Sequence, residues 1–202
     1  MAKEVLPKFK IIVLSVFDSG KTNLIARYTR DTFDENLLRT IGADFTRKNV
    51  MLNNGKEIIA EIWDTASERG FRYNNKFIMR NSKGVILLYD ITYRRSFEEV
   101  NYYYNEIKDY LDNPVIALVG NKIDSYERME VSTEEGQRFA DEHNCLFYEV
   151  SAKTGTNVNE CFNAIFQRIY EYDPNTEEER RILNENKIQL RNNRPPKRGC
   201  LK

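Results

Sequence analysis

Three short apolar runs, each followed by a segment of helical composition, limit the fold of this chain more than any other feature. Lys8–Leu14 (KFKIIVL), Gly84–Tyr89 (GVILLY) and Val115–Val119 (VIALV) show little in–out alternation, as strands of a parallel sheet covered by helices do. Leu146–Val150 reads as a further strand. Helical segments follow or separate them at Gly20–Thr29, Phe97–Leu111, Thr133–His143 and Asn157–Tyr170. Two alternating stretches, Asp44–Leu52 and Glu57–Trp63, flank the turn Asn53-Asn54-Gly55, which predicts an antiparallel hairpin. The expected fold is therefore α/β: a doubly wound, mostly parallel six-stranded sheet with helices on both faces and one antiparallel hairpin at its edge. In such sheets ligands bind beyond the carboxyl ends of the strands, so the residues after each strand carry most of the functional information.

With 202 residues, 41% of them hydrophobic, the chain suffices for one compact domain with a tail. The expected division is an N-terminal extension at 1–7, a globular domain at 8–172 and a tail at 173–202, where Asn, Glu and Arg replace the aromatic residues. Lys plus Arg and Asp plus Glu both number 31, so no overall basic excess draws the chain to nucleic acid. Cys145, Cys161 and Cys200 are an odd set without paired spacing, and Met1–Lys10 lacks a secretory signal, which points to a reducing, cytoplasmic setting. No apolar run approaches the ~18 residues of a membrane helix. The only histidine, His143, argues against histidine triads and most zinc sites.

Ser15-Val16-Phe17-Asp18-Ser19-Gly20-Lys21-Thr22 lies between the first strand and its helix, where backbone amides can surround a polyphosphate. Its last three residues fit the GK[ST] ending of a phosphate-binding loop: Lys21 would reach the outer phosphates and the Thr22 hydroxyl would bind Mg²⁺. Ser15 stands where that motif has its first glycine, so alone the pattern leaves an ordinary strand–helix turn open. Gly120-Asn121-Lys122-Ile123-Asp124 follows the VIALV strand. A carboxylate at Asp124 can accept from both N1–H and N2–H₂ of guanine, whereas adenine has no such donor pair and would leave the acceptor unpaired. Ser151-Ala152-Lys153 after the last strand would back the same base with a main-chain N–H. Trp63-Asp64-Thr65-Ala66 closes the third strand, where Asp64 can hold a metal-bound water, and Thr40 could add a second hydroxyl to the metal. Four such loops in one order, each suited to one part of Mg-GTP, are improbable by chance.

Over roughly Lys8–Tyr172 the chain resembles the Ras superfamily of small GTPases, and within it the Rab family. The Rab likeness is carried by Ile41-Gly42-Ala43-Asp44-Phe45, Glu61-Ile62-Trp63-Asp64-Thr65, Arg80 to Gly84, Leu88-Tyr89-Asp90-Ile91-Thr92 and Ser96-Phe97. The resemblance implies a P-loop small G-domain that binds GTP or GDP with Mg²⁺. Its nucleotide-binding set would be Asp18, Ser19, Gly20, Lys21, Thr22, Asn23, Phe33, Thr40, Ser67, Asn121, Lys122, Asp124, Ser151, Ala152 and Lys153, and its metal ligands Thr22, Thr40 and Asp64. Glu68, Lys21 and Thr40 would serve catalysis. Phe33 would pack edge-on to the base, Thr40 would sense the γ-phosphate from switch I, and Ala66 to Met79 would form switch II. It further implies a monomer that meets effectors through switch I and II, exchange factors and activating factors, and directs vesicle traffic.

The departures from the family fall where hydrolysis is done. Phe17 and Asp18 replace small phosphate-loop residues: Phe17 should crowd the attacking water, and Asp18 brings a carboxylate toward phosphate, at a cost of ~1 kcal/mol or more unless a nearby cation offsets it. The family's switch II reads A-G-Q, whereas Ala66-Ser67-Glu68 stands here; Glu68 adds negative charge at the transition state and Ser67 loses glycine's φ freedom. Slow hydrolysis is the expectation, with two alternatives: drifted loop residues in an ordinary GTPase, or a nucleotide-binding module that recruits partners without hydrolysing. Ile78 replaces a tyrosine usual in Rabs, so the effector surface should differ in shape.

Cys200, after Lys197-Arg198, resembles a prenylated Rab anchor on the cytosolic face of an endomembrane, with basic residues favouring anionic lipid. Cys200-Leu201-Lys202 is one residue short of a C-a-a-X box, so a free tail thiol stays open. Other features read as structure. Tyr102-Tyr103-Tyr104 should divide between packing and solvent, Cys145 and Cys161 should be buried rather than reactive, and Glu177-Glu178-Glu179 beside Arg180-Arg181 should be a solvated helix face.

Overall fold

The structure is a computed structural model, and it describes residues 6–15, 18–37, 40, 42–65 and 77–176. Six strands form one sheet: β1 (Lys8–Ser15), β2 (Ala43–Met51), β3 (Glu57–Thr65), β4 (Gly84–Asp90), β5 (Val115–Asn121) and β6 (Leu146–Val150). Their order across the sheet is β2-β3-β1-β4-β5-β6. Only β2 runs antiparallel, pairing with β3 from Ala43 opposite Thr65 to Met51 opposite Glu57. The other four pairings are parallel. This is the mostly parallel sheet with an antiparallel edge hairpin that the apolar runs predict. Gly55, at φ 79°, takes the left-handed position of the hairpin turn, where its N–H donates to the Leu52 carbonyl at 2.9 Å.

Burial follows the sequence pattern. All seven residues of β4 are buried, while most of edge strand β2 is exposed or half-exposed. Alternate residues of the central strands serve opposite faces. On one face Ile12 and Leu14 of β1, Val85, Leu87 and Tyr89 of β4, and Leu118 of β5 pack with Val100, Tyr103, Ile107 and Ala140. These last come from the helices α3 (Val100–Tyr110) and α4 (Thr133–His143). Also present are α1 (Lys21–Arg30), the short α2 (Arg94–Glu98) and α5 (Val158–Tyr172). On the opposite face Tyr28 of α1 stacks on Phe162 of α5 at 4.1 Å, and Ile169 of α5 lies over Gly84, whose missing Cβ would come within 2.8 Å of it.

The single helix read near 97–111 is two helices meeting at Glu99, with Glu99 N–H donating to Arg95 and Tyr103 N–H to Glu99, both at 3.3 Å, so the ladder crosses the junction. α4 begins on a capping box: the Ser132 hydroxyl accepts from Glu135 N–H and the Glu135 carboxylate from Ser132 N–H. Tyr103 is buried, Tyr102 is exposed, and Tyr104 packs edge-on to Phe139 and against His143, so the tyrosine run divides between core and solvent. Cys161 is buried and Cys145 half-buried; burial pushes their thiols up to about 12 and about 11.

Contacts divide the chain into Met1–Ile169 and Tyr170–Lys202. Within the described part of the second unit, the Thr176 hydroxyl meets the carbonyls of Tyr170 and Asp173. The readings that concern Phe17, Ser67, Glu68, the 177–181 helix face and Cys200 lie outside the described residues. Among the described residues no helix is long and apolar enough to cross a membrane.

Candidate functional site

A cleft of about 380 Å³ opens at the carboxyl ends of the parallel strands. Its floor is the turn from β1 into α1. Gly20 caps α1 at φ 84° in close contact with β5: a Cβ there would stand 2.7 Å from Asn121 Nδ2, so both the backbone conformation and the space call for glycine. Asp18 also adopts a left-handed conformation, at φ 57°, which a short polar side chain tolerates better than most. The loop thus accommodates an aspartate, with its side chain exposed, where the family has a small residue. Lys21, 7% exposed, turns its ammonium to the Ser15 hydroxyl at 3.1 Å. Burial lowers the Lys21 ammonium to about 8, against the opposing charges of Asp64 and Asp18. Asp18 is therefore felt by the very cation expected to grip phosphate.

Beside this floor three oxygen-bearing side chains from separate elements converge. The Thr22 and Thr40 hydroxyls lie 2.8 Å apart, and both reach Asp64 Oδ2, at 2.5 and 3.2 Å. Among the described residues Asp64 Oδ1 is buried without a hydrogen-bond partner. Burial raises the Asp64 carboxyl above its usual range, while the Thr22 bond, the Lys21 charge and the Thr40 bond oppose it. An orphaned carboxylate oxygen is costly to bury unless something binds it. Two hydroxyls and one carboxylate are a hard, all-oxygen donor set that leaves positions for phosphate and water, as Mg²⁺ prefers. No group of three His, Cys, Asp or Glu able to hold a metal occurs among the described residues.

At the other end of the cleft β5 ends at Asn121, 1% exposed, which ties two loops together. Its Nδ2 donates to the Ser19 carbonyl at 2.8 Å and its Oδ1 accepts from Ala152 N–H at 3.1 Å. Lys122 then turns the chain at φ 71°, and its ammonium pairs with buried Asp90 at 2.7 Å. The turn brings Asp124 back to the cleft, where the wholly buried Ser151 donates from Oγ to Asp124 Oδ1 at 2.6 Å. On the near wall Asn23 exchanges two bonds with the Asp34 backbone, at 2.8 and 3.0 Å, steadying the loop that carries half-buried Phe33. Glu35 reaches across to the Lys153 ammonium at 2.6 Å.

Asp18, Ser19, Gly20, Lys21, Thr22, Asn23, Phe33, Thr40, Asn121, Lys122, Asp124, Ala152 and Lys153 all line this one cleft. Ser151 and Asp64 do not: Ser151 bonds to Asp124, and Asp64 to Thr22 and Thr40. Thr65, within the Trp63-Asp64-Thr65-Ala66 motif, lines the cleft too; Glu35 and Leu37 also line it and had no motif to reveal them. Nor did the Ser15 hydroxyl: a serine in a glycine's place reads as a defect until Lys21 is seen to bond to it. Away from the cleft Phe45 stacks on Trp63 at 5.1 Å and remains 42% exposed, whereas Ile78 is buried in the core beneath them.

The family profile described as Ras family matches residues 10–171. The chain is 40% identical over 163 residues to GTP-binding protein ypt3 of Schizosaccharomyces pombe, covering 80% of this chain and 76% of that protein. It is 37% identical over 202 residues to Ras-related protein Rab-18-B of Danio rerio, covering 99% and 96%. With Ras-related protein RABA5a of Arabidopsis thaliana it shares 40% over 163 residues, 80% and 73% of the two chains.

Proposed function

The chain belongs to the Ras superfamily of small GTPases, within its Rab family, and on that premise we propose that it is a Mg²⁺-dependent, GTP-binding switch of intracellular vesicle traffic whose hydrolysis is slow. The observation that carries this reading is one cleft with Thr22 and Thr40, whose hydroxyls both reach Asp64, at one end and Asn121 with Asp124 at the other. Lys21 grips the outer phosphates. Thr22, Thr40 and Asp64 hold the magnesium ion, which when bound offsets charge on the β- and γ-phosphate oxygens. Asp124 accepts from the two guanine donors while Phe33 covers the base.

Hydrolysis is slow in this reading because its stabilising groups are replaced. Glu68 offers an acceptor for water but adds charge to an already anionic transition state, and Phe17 narrows the approach of water. Asp18 competes with phosphate for the Lys21 charge. Thr40 and the 66–79 segment report the γ-phosphate to effectors, exchange factors and activating factors. The effector face presents the Phe45–Trp63 stack, with Arg47 over the Phe45 ring at 5.0 Å and without a projecting tyrosine at 78. A G-domain at 8–172 acts as a monomer, and the 173–202 tail, through prenylated Cys200 and its basic residues, holds it to the cytosolic face of an endomembrane.

Single-turnover hydrolysis of bound GTP tests the proposal, with the native chain compared to Phe17→Ser/Asp18→Gly/Glu68→Gln. The triple variant should hydrolyse roughly tenfold faster or more. Equal rates would remove the case for impairment. These three replacements, with Ser67 as a fourth, favour a second reading, a module that binds GTP and recruits partners without turnover. Tight GTP binding with no hydrolysis in the native chain would select it.

A further inference from the structure

Arg27 stands outside every motif read from the sequence, yet its side chain makes four hydrogen bonds beside the cleft. It lies in α1, six residues beyond Lys21, with its side chain 17% exposed. Its Nε donates to the Ala152 carbonyl at 2.9 Å and its Nη2 to the Lys153 carbonyl at 2.9 Å. Its Nη1 is held by Asp31, through the backbone carbonyl at 3.1 Å and the carboxylate at 2.7 Å. The fork of the guanidinium therefore spans two successive carbonyls of the loop after β6, a geometry an ammonium cannot reproduce.

That loop leads directly to the base-reading carboxylate. The Lys153 carbonyl and the Thr154 N–H belong to one peptide group, so a cation on the oxygen makes the N–H a stronger donor. Thr154 N–H donates to Ser151 Oγ at 3.0 Å, and Ser151 Oγ donates to Asp124 Oδ1 at 2.6 Å. The Ala152 end of the same loop is bonded to Asn121 at 3.1 Å. We infer that Arg27 is a positioning residue for base recognition: by clamping the Ala152 and Lys153 carbonyls it sets, through Ser151, the orientation of Asp124. The inference rests on the guanine reading above and deepens it. Because Lys21, Thr22 and Arg27 share one helix, the phosphate grip and the base reader are referenced to the same rigid element.

A staple with no part in recognition would lower affinity for every nucleotide alike. Positioning predicts a change in preference. Dissociation constants for GDP and ADP, measured on the full chain with Mg²⁺ present, separate the two. The native protein should prefer GDP strongly, and Arg27→Ala should reduce that preference roughly tenfold or more while ADP, held by its phosphates, changes far less. Arg27→Lys keeps the charge but reaches one carbonyl, so its preference should fall between the two. It also carries the test by itself if Arg27→Ala does not fold. Equal proportional loss of GDP and ADP affinity, or an unchanged preference in both variants, would overturn the inference. A native chain that does not prefer GDP to ADP would overturn the guanine reading as well, so the two failures are distinguishable.

Discussion

Replacing Asn121 by alanine removes two bonds at once, the donor to the Ser19 carbonyl at 2.8 Å and the acceptor of Ala152 N–H at 3.1 Å, in a site only 1% exposed. Each backbone group left unsatisfied in such a place costs about 1–3 kcal/mol. Two such groups sum to about 2–6 kcal/mol, and partial rescue by water entering the vacated volume brings this to the lower part, about 2–3 kcal/mol. For a domain of this size that corresponds to a fall in melting temperature of about 5–10 °C. GDP affinity should drop in addition, since the loops that carry Ser19 and Ala152 are no longer held to one another. A hundredfold weaker affinity would remove about 2.7 kcal/mol of the stabilisation that excess nucleotide provides. Urea unfolding in the absence and presence of excess GDP separates the two contributions. Asn121→Asp is the control: it keeps the acceptor for Ala152 N–H but sets an oxygen against the Ser19 carbonyl, so it should be no more stable than the alanine variant. A loss below about 1 kcal/mol in both solvents, or an aspartate variant as stable as the native chain, would refute the reasoning.

Two further outcomes follow from the cleft. Chelating Mg²⁺ should speed GDP release from the native chain roughly tenfold or more, with little further effect on Asp64→Ala, because Asp64 Oδ1 is a buried oxygen without a partner among the described residues; equal chelator sensitivity in stopped-flow release would count against the metal site. Glu35→Gln should speed GDP release only about two- to threefold at low salt, and not at all at about 0.5 M salt, because the Glu35–Lys153 pair across the mouth is exposed and screened; a salt-independent effect would mean that Glu35 touches the nucleotide.

Much of this protein is legible in its amino-acid sequence, for a local reason. The runs 84–89 and 115–119 are apolar without alternation because both faces of a parallel strand are covered, and β4 and β5 follow them closely. The hairpin is announced by Asn53-Asn54-Gly55, because a left-handed turn position selects its residue directly. Lys21, Thr22, Asn121 and Asp124 are recognisable because each motif lies within one loop and its chemistry depends on neighbours a few residues away. What local sequence could not carry are the relations between loops. The burial of Ile78 depends on packing partners distant in the chain. The Ser15 hydroxyl on Lys21, the Glu35–Lys153 pair, the Ser151–Asp124 bond and the reach of Arg27 across 125 residues to Ala152 join segments that only the folded sheet brings together. The chain's own order thus determined what each loop can bind; the crossing of the chain at the strand ends decided which side chain holds which loop in place, since hydrogen bonds act over about 3 Å and bear no relation to distance along the sequence.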